Sequence, residues 1–271
     1  MKKLVLAVMA LMVFAAPAAA VEVEGDVYAG VYDEYVWRGL KLSGSQPVLQ
    51  AGMDMSFNGF TVSYWTNTQL SSSSQGLIDT EGDGINDANV LGHDEVTETD
   101  IVLDYSFDVN DMLSISVGDI YYNFNVPGNT HELYVGASLN TILAPSLTIY
   151  YDYQAAKGAM ANGSDAAGMY YVLAGGHDIE LAKNLGLSLG AAVSYADESP
   201  FLTEDVDNSG NEQPYSELHN YELSVGLSYA VSEQVSIDVS ALYTDSLSDE
   251  AEFAMGKDAV STGGVSVTLA F

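Results

Sequence analysis

From Val21 onward the chain falls into segments of about ten residues in which apolar side chains occupy every second position. Leu185, Leu187, Leu189, Ala191, Val193 and Tyr195 alternate with Gly186, Ser188, Gly190, Ala192 and Ser194. Leu147, Ile149, Tyr151 and Tyr153 alternate with Thr148, Tyr150, Asp152 and Gln154. Tyr221 to Tyr229 and Val235 to Ala241 repeat the pattern. Period two places successive side chains on opposite faces of a strand. Beyond the first twenty residues no segment holds a helical period, so the sequence predicts an all-β fold.

The connections alternate between short and long. Short turns are expected at Asn58-Gly59, Asn110-Asp111, around Ala144-Pro145, at Lys183-Asn184 and at Ser232-Glu233. Asn-Gly between Phe57 and Phe60 is a strong two-residue hairpin signal. Long loops rich in Gly, Ser, Asn and Asp are expected over roughly 39–45, 68–94, 125–129, 156–168, 197–216 and 246–257. About twelve strands result, with both ends of the chain on the short-turn side. This is the layout of a transmembrane, antiparallel, up-and-down β-barrel. A soluble sandwich also alternates, but it needs a dry core between its sheets. Here the second face of each strand is mostly Ser, Thr, Gly, Asp and Glu mixed with Tyr, which suits a wet interior. Closure removes the unpaired edges that hydrocarbon penalises. In that frame Val265, Val267, Leu269 and Phe271 face lipid. Tyr153, Tyr195, Tyr229 and Phe57 sit at strand ends, where aromatic girdles form. A terminal Phe on such a strand resembles the C-terminal signal of bacterial outer-membrane proteins.

Met1-Lys2-Lys3, an apolar run from Leu4 to Ala16 and Ala18-Ala19-Ala20 have the layout of a cleaved secretory signal peptide. The expected division is therefore a signal peptide over 1–20 and a barrel over 21–271. The full chain carries 7 Lys+Arg against 38 Asp+Glu. A surface that acidic repels nucleic acid and attracts cations. With 18 Tyr and 8 Phe the chain is too aromatic for acidic disorder. Without cysteine it has neither disulfides nor thiolate metal sites.

The segment from Tyr35 to Asp54, "YVWRGLKLSGSQPVLQAGMD", carries a family likeness. Tyr35, Trp37-Arg38-Gly39, Ser43, Pro47-Val48-Leu49-Gln50 and Gly52 resemble the opening block of the TorF-type porins, the Gcw-type conserved hypothetical family. "GFTVSYWTN", Gly59 to Asn67, is similar to that family's second block. The likeness covers about the first fifth of the mature chain. It implies an outer-membrane barrel and transfers neither a substrate nor catalytic residues. Within this block Arg38 is the chain's single arginine, with Lys41 three residues on. Arg38 is expected either to fix the first loop by pairing with carboxylates or to meet an anionic solute group at a pore mouth.

"DTEGDGINDAN", Asp79 to Asn89, reproduces the early part of a calcium loop: Asp79, Glu81, Asp83 and Asp87 as carboxylates, Gly84 at the bend, Ile85 offering its carbonyl. Val90 stands where a bidentate acid would close the site, so calcium binding competes with a merely solvated acidic loop. Asp205 to Gln213 is a weaker version. No other cofactor is required. The strand parity turns Glu98, Asp100, Asp104, Asp152, Glu222 and Asp238 inward, where ionised carboxylates would favour cations; the alternative is that they pair with Tyr hydroxyls and fill the barrel. His93, His131, His177 and His219 show no zinc spacing, and no nucleophile elbow occurs, so an enzyme is not expected. The function predicted is passive diffusion of small hydrophilic solutes through a monomeric, cation-preferring outer-membrane pore. The alternative is a plugged structural or adhesive barrel displaying calcium-bound loops. Expected partners are outer-membrane lipid and lipopolysaccharide, the barrel assembly machinery, and small solutes or cations.

Overall fold

Alternation of bulky apolar with small or polar residues, punctuated by turn-forming pairs, folds into a single closed sheet. The computed structural model describes residues 23–71, 77–78, 88–89, 97–124, 129–154, 168–199, 202–206 and 212–271. The leader expected over 1–20 and the acidic loop residues 79–87 lie outside the described residues.

Twelve strands make the barrel. They are β1 (Glu24–Tyr32), β2 (Val48–Phe57), β3 (Phe60–Gln69), β4 (Thr97–Asn110), β5 (Leu113–Phe124) and β6 (Asn129–Leu139). β7 (Ser146–Asp152), β8 (Met169–Ala182), β9 (Leu185–Asp197), β10 (Ser216–Ala230), β11 (Val235–Ser246) and β12 (Val260–Ala270) complete it. Every strand pairs antiparallel with its sequence neighbours, and β1 closes the circle against β12, with Val31 opposite Val265 and Val27 opposite Leu269. Phe57 pairs with Phe60 across Asn58-Gly59, whose φ angles of 50° and 82° are those of a two-residue hairpin turn. The expected turns at Lys183-Asn184 and near Ser232-Glu233 also join consecutive strands. The turn expected at Asn110-Asp111 falls one residue later, at Asp111-Met112, because a bulge between Asp108 and Asn110 lengthens β4.

One face of this sheet is a band of exposed large apolar side chains that runs round the barrel, including Leu103, Leu173, Leu223, Val239 and Val267. Such a band is stable against hydrocarbon and not against water. At the short-turn end it is edged by Phe57, Phe60, Tyr105, Phe107, Tyr229 and Phe271, with Phe60 and Tyr105 ring centroids 4.5 Å apart. At the long-loop end Tyr171 lies against Tyr195 and Tyr221 against Tyr243, at about 6 Å. Val265, Val267, Leu269 and Phe271 are exposed on this outer face.

One element departs from the all-strand expectation. Asp249–Met255 forms a helix, α1, in the loop between β11 and β12. Ser248 caps it by accepting a hydrogen bond from the Ala251 N–H, and Asp249, Glu250 and Glu252 place negative charge at its positive end. Two turns are too short to establish a period of 3.6. At the same end Tyr170, Ala196, Leu202, Tyr215 and Ala251 form a buried apolar cluster, with Leu40 packed against it.

Candidate functional site

The interior differs between its two ends, and the difference is made by the loop joining β1 to β2, residues 33–47, here called L1. Its start is tied to the barrel seam. The Asp33 N–H donates to the Gly263 carbonyl (3.0 Å), while the Asp33 carboxylate accepts from the Gly263 N–H (2.8 Å) and the Thr262 hydroxyl (2.7 Å). Ser43 braces the return limb, accepting from the Tyr35 N–H (2.9 Å) and donating to the Gln46 carbonyl (2.8 Å). Between these anchors Val36–Trp37 pairs with Leu40–Lys41, a hairpin whose two-residue tip is Arg38-Gly39. Both tip residues are left-handed, φ 49° and 77°. Gly39 also lies so close to Met255 of α1 that an added Cβ would sit 2.4 Å from the Met255 Cε.

The tip carries the arginine into the barrel. Arg38 donates from both terminal nitrogens to Glu132 on β6, Nη1 to Oε1 at 2.9 Å and Nη2 to Oε2 at 2.7 Å. Its guanidinium carbon lies 4.4 Å from the Trp37 ring centroid, 4.2 Å from Tyr170 and 5.1 Å from Tyr150. The two side chains of the ion pair are 8% and 3% exposed. Burial alone would lower the pKa of the guanidinium; the adjacent Glu132 carboxylate outweighs it and holds the value above the ordinary one. The Tyr122 hydroxyl donates to the same carboxylate at 2.9 Å. Behind the tip, the Arg38 carbonyl can only accept, so His219 Nε2 carries the proton in their 2.7 Å contact. His219 Nδ1 is then left to accept from the Tyr215 hydroxyl, at 2.5 Å. A cavity of about 320 Å³ opens beside the tip, walled by Trp37, Arg38, Tyr122, Tyr150, Tyr170 and Glu222 among others.

L1 divides the inward-facing residues into two layers. Towards the long loops Val48, Asn67, Glu98, Tyr122, Thr130, Asp152, Tyr170, Asn220, Thr244 and Val260, from ten different strands, are all buried. Towards the short turns many inward positions are small, with Ser106, Ser188, Ser224 and Ser228 exposed, while the rings of Tyr28 and Tyr134 lie over Gly52 and Gly118.

The six inward acids fall on both sides of this division. Glu98, Asp100 and Asp152 lie in the buried layer; the Asp152 carboxylate accepts from the Thr130 hydroxyl at 2.8 and 2.6 Å. Glu222, half-buried, borders the cavity and accepts from the Asn220 amide at 3.1 Å. Asp104 and Asp238 lie in the accessible layer. Asp104 accepts from the Tyr134 hydroxyl at 2.5 Å and the Ser106 hydroxyl at 2.7 Å, and Asp238 from Ser236 at 2.8 Å. Both arrangements left open for these acids occur: Glu98, Asp100 and Asp152 are enclosed by protein, with Tyr35 of L1 against Glu98 and Thr130 against Asp152, while Asp104 and Asp238 are partly accessible. Lys41, at the hairpin's far end, lies 3.9 Å from Glu34 and is more than a third exposed. Asp79, Glu81, Asp83, Ile85 and Asp87 lie outside the described residues, as do residues 207–211 of the weaker loop. Among the described residues no group of three or more His, Asp or Glu side chains is arranged to hold a metal ion.

Glu132 is the residue that the sequence reading missed. Leu133 and Val135 face outward, so parity alone turns Glu132 and Tyr134 inward. The link to Arg38, 94 positions away, had no local signal.

Among solved structures, the barrel is similar to the NanC porin, at 11% identity over 90% of this chain and 98% of that one, with a TM-score of 0.53. It is similar to the KdgM porin at 13% identity over 91% and 99%, with a TM-score of 0.50. The fold is thus that of outer-membrane barrels of Gram-negative bacteria. No curated protein matches the sequence. The model of a bacterial family of unknown function, Gcw_chp, matches residues 14–270, so the likeness extends far beyond the opening blocks.

Proposed function

The chain belongs to the Gcw_chp family, and from that premise and the geometry above we propose that it is a porin-like outer-membrane channel whose constriction is L1. Small hydrophilic solutes would pass by diffusion, with the short turns facing the periplasm and the long loops the cell exterior. The observation that carries this reading is the accessible inner layer. A barrel built only as a scaffold has no need of an inner wall of exposed Ser side chains leading to an ion-paired loop. Cation preference is part of the same proposal. The twelve strands contain no Lys or Arg, and Asp26 and Asp54, directly paired across β1 and β2, add to Asp104 and Asp238 on the inner face. Ionised carboxylates in a water-filled bore raise local cation concentration.

The test is reversal potential in salt gradients across planar bilayers containing the refolded protein. Cation selectivity that weakens in Asp104→Asn/Asp238→Asn supports the proposal; an anion-selective wild type removes it. The buried layer favours a second reading, a closed barrel with a structural or adhesive role. Silence of both wild type and an L1-releasing variant would select that reading.

A further inference from the structure

Glu98 and Asp100 stand two positions apart on β4, on its inner face, 1% and 8% exposed. Their carboxyl groups lie within hydrogen-bonding reach of each other. One oxygen of each, Glu98 Oε2 and Asp100 Oδ1, is buried without any hydrogen-bond donor. Among the described residues the remaining contacts are few: the Tyr35 hydroxyl of L1 donates to Glu98, and the Asn123 N–H donates to Asp100. Among the described residues no Lys, Arg or His pairs with either acid, and Arg38 is committed to Glu132.

Two carboxylates that touch need something positive between them. A shared proton satisfies one contact and leaves the other lone pairs bare. A hard cation satisfies both orphaned oxygens, and buried polar atoms without partners are rare enough in folded proteins to point to a ligand. The donors here are all oxygen: two carboxylates and, beside them, a phenol. Oxygen-only donor sets with paired carboxylates suit calcium or magnesium and not the softer metals. We infer that Glu98 and Asp100, with the Tyr35 hydroxyl, form a binding site for one hard divalent cation at the junction of L1 and the barrel wall. Because Tyr35 belongs to L1 and the acids to β4, an ion held there joins the loop to the wall. This inference does not depend on whether the barrel conducts.

The wall supplies its own reporter. Trp65 pairs directly across from Asp100, and its ring centroid lies 5.4 Å from that of Tyr35. Terbium bound between the acids should therefore emit when tryptophan is excited. Titrating the refolded, full-length barrel with terbium should give saturable sensitised emission that calcium competes away, with a lifetime in heavy water showing few coordinated waters. Glu98→Gln/Asp100→Asn should lose at least tenfold of that emission. Asp83→Asn, in the acidic loop, should retain it. Trp65→Phe should dim the emission while leaving calcium affinity, measured by calorimetry, unchanged. Heat-modifiable gel mobility checks folding; if the double variant fails that check, Asp100→Asn alone is read in the same way. Emission that survives in the folded acid variants, or a folded wild type that gives none, overturns the site and leaves the pair sharing a proton.

Discussion

Replacing Arg38 by Ala removes the positive member of a buried pair and strands the negative one. Glu132, 3% exposed, would keep, among the described residues, the Tyr122 hydroxyl as its side-chain donor. Deleting one partner of a buried ion pair costs about 3–5 kcal/mol, because the survivor's charge is uncompensated. At about 1.4 kcal/mol per decade, that shifts the balance between docked and released L1 by roughly two to three and a half decades. The remaining attachments, among them the Asp33 seam, the His219 hydrogen bond to the residue-38 carbonyl, the Tyr35–Glu98 contact and the packing of Gly39 on Met255, do not neutralise the stranded charge. Single-channel recording should therefore show larger or more frequent open steps for Arg38→Ala than for wild type. Glu132→Gln should behave similarly, since it leaves the guanidinium as the stranded charge. Arg38→Met/Glu132→Leu should return towards wild type, because neither charge remains and the volume is largely kept. If Arg38→Ala gives the same step size, open probability and denaturant midpoint as wild type, the ion pair does not hold L1 and the reasoning fails.

Three further outcomes are expected. Gly39→Ala places a Cβ at left-handed φ and against Met255; it should lower the thermal midpoint of the barrel and destabilise the docked loop by about 1–2 kcal/mol. Val225→Arg, on the outer face near the middle of β10, should cost about 2–4 kcal/mol in denaturation from liposomes, whereas Ser224→Arg, on the inner face, should cost far less. Calcium titration by calorimetry should show a weak site in the 79–89 loop that Asp83→Asn abolishes; identical isotherms would show that this loop is only solvated acid.

The barrel was legible because each strand states its own two faces. Leu223, Val225 and Leu227 face out and Ser224, Gly226 and Ser228 face in without reference to any other strand, and Asn58-Gly59 fixes its hairpin locally. The interior was only half legible. Parity turns Glu98, Asp100, Asp104 and Asp152 inward alike, but whether an inward acid meets water or protein depends on where a loop elsewhere in the chain goes. L1 goes inward because Arg38 finds Glu132 and the rings of Tyr150 and Tyr170 on distant strands, a convergence with no spacing to read. The conformation of its tip was closer to the surface of the sequence: Arg-Gly between Trp37 and Leu40 ends in a glycine able to take the left-handed angle. Helix α1 was signalled by its Ser248 cap and acidic first turn, not by any repeat.

L1 leaves the wall at β1, beside the β12 seam, and its arginine grips β6, five strands round a circle of twelve. It therefore acts as a strut close to a diameter. A tube braced in this way resists being squeezed along the braced axis but can still flatten at right angles to it. Lateral pressure from the bilayer would then ovalise the cylinder in one set direction, and cutting the strut would return it to a hoop with no stiff axis.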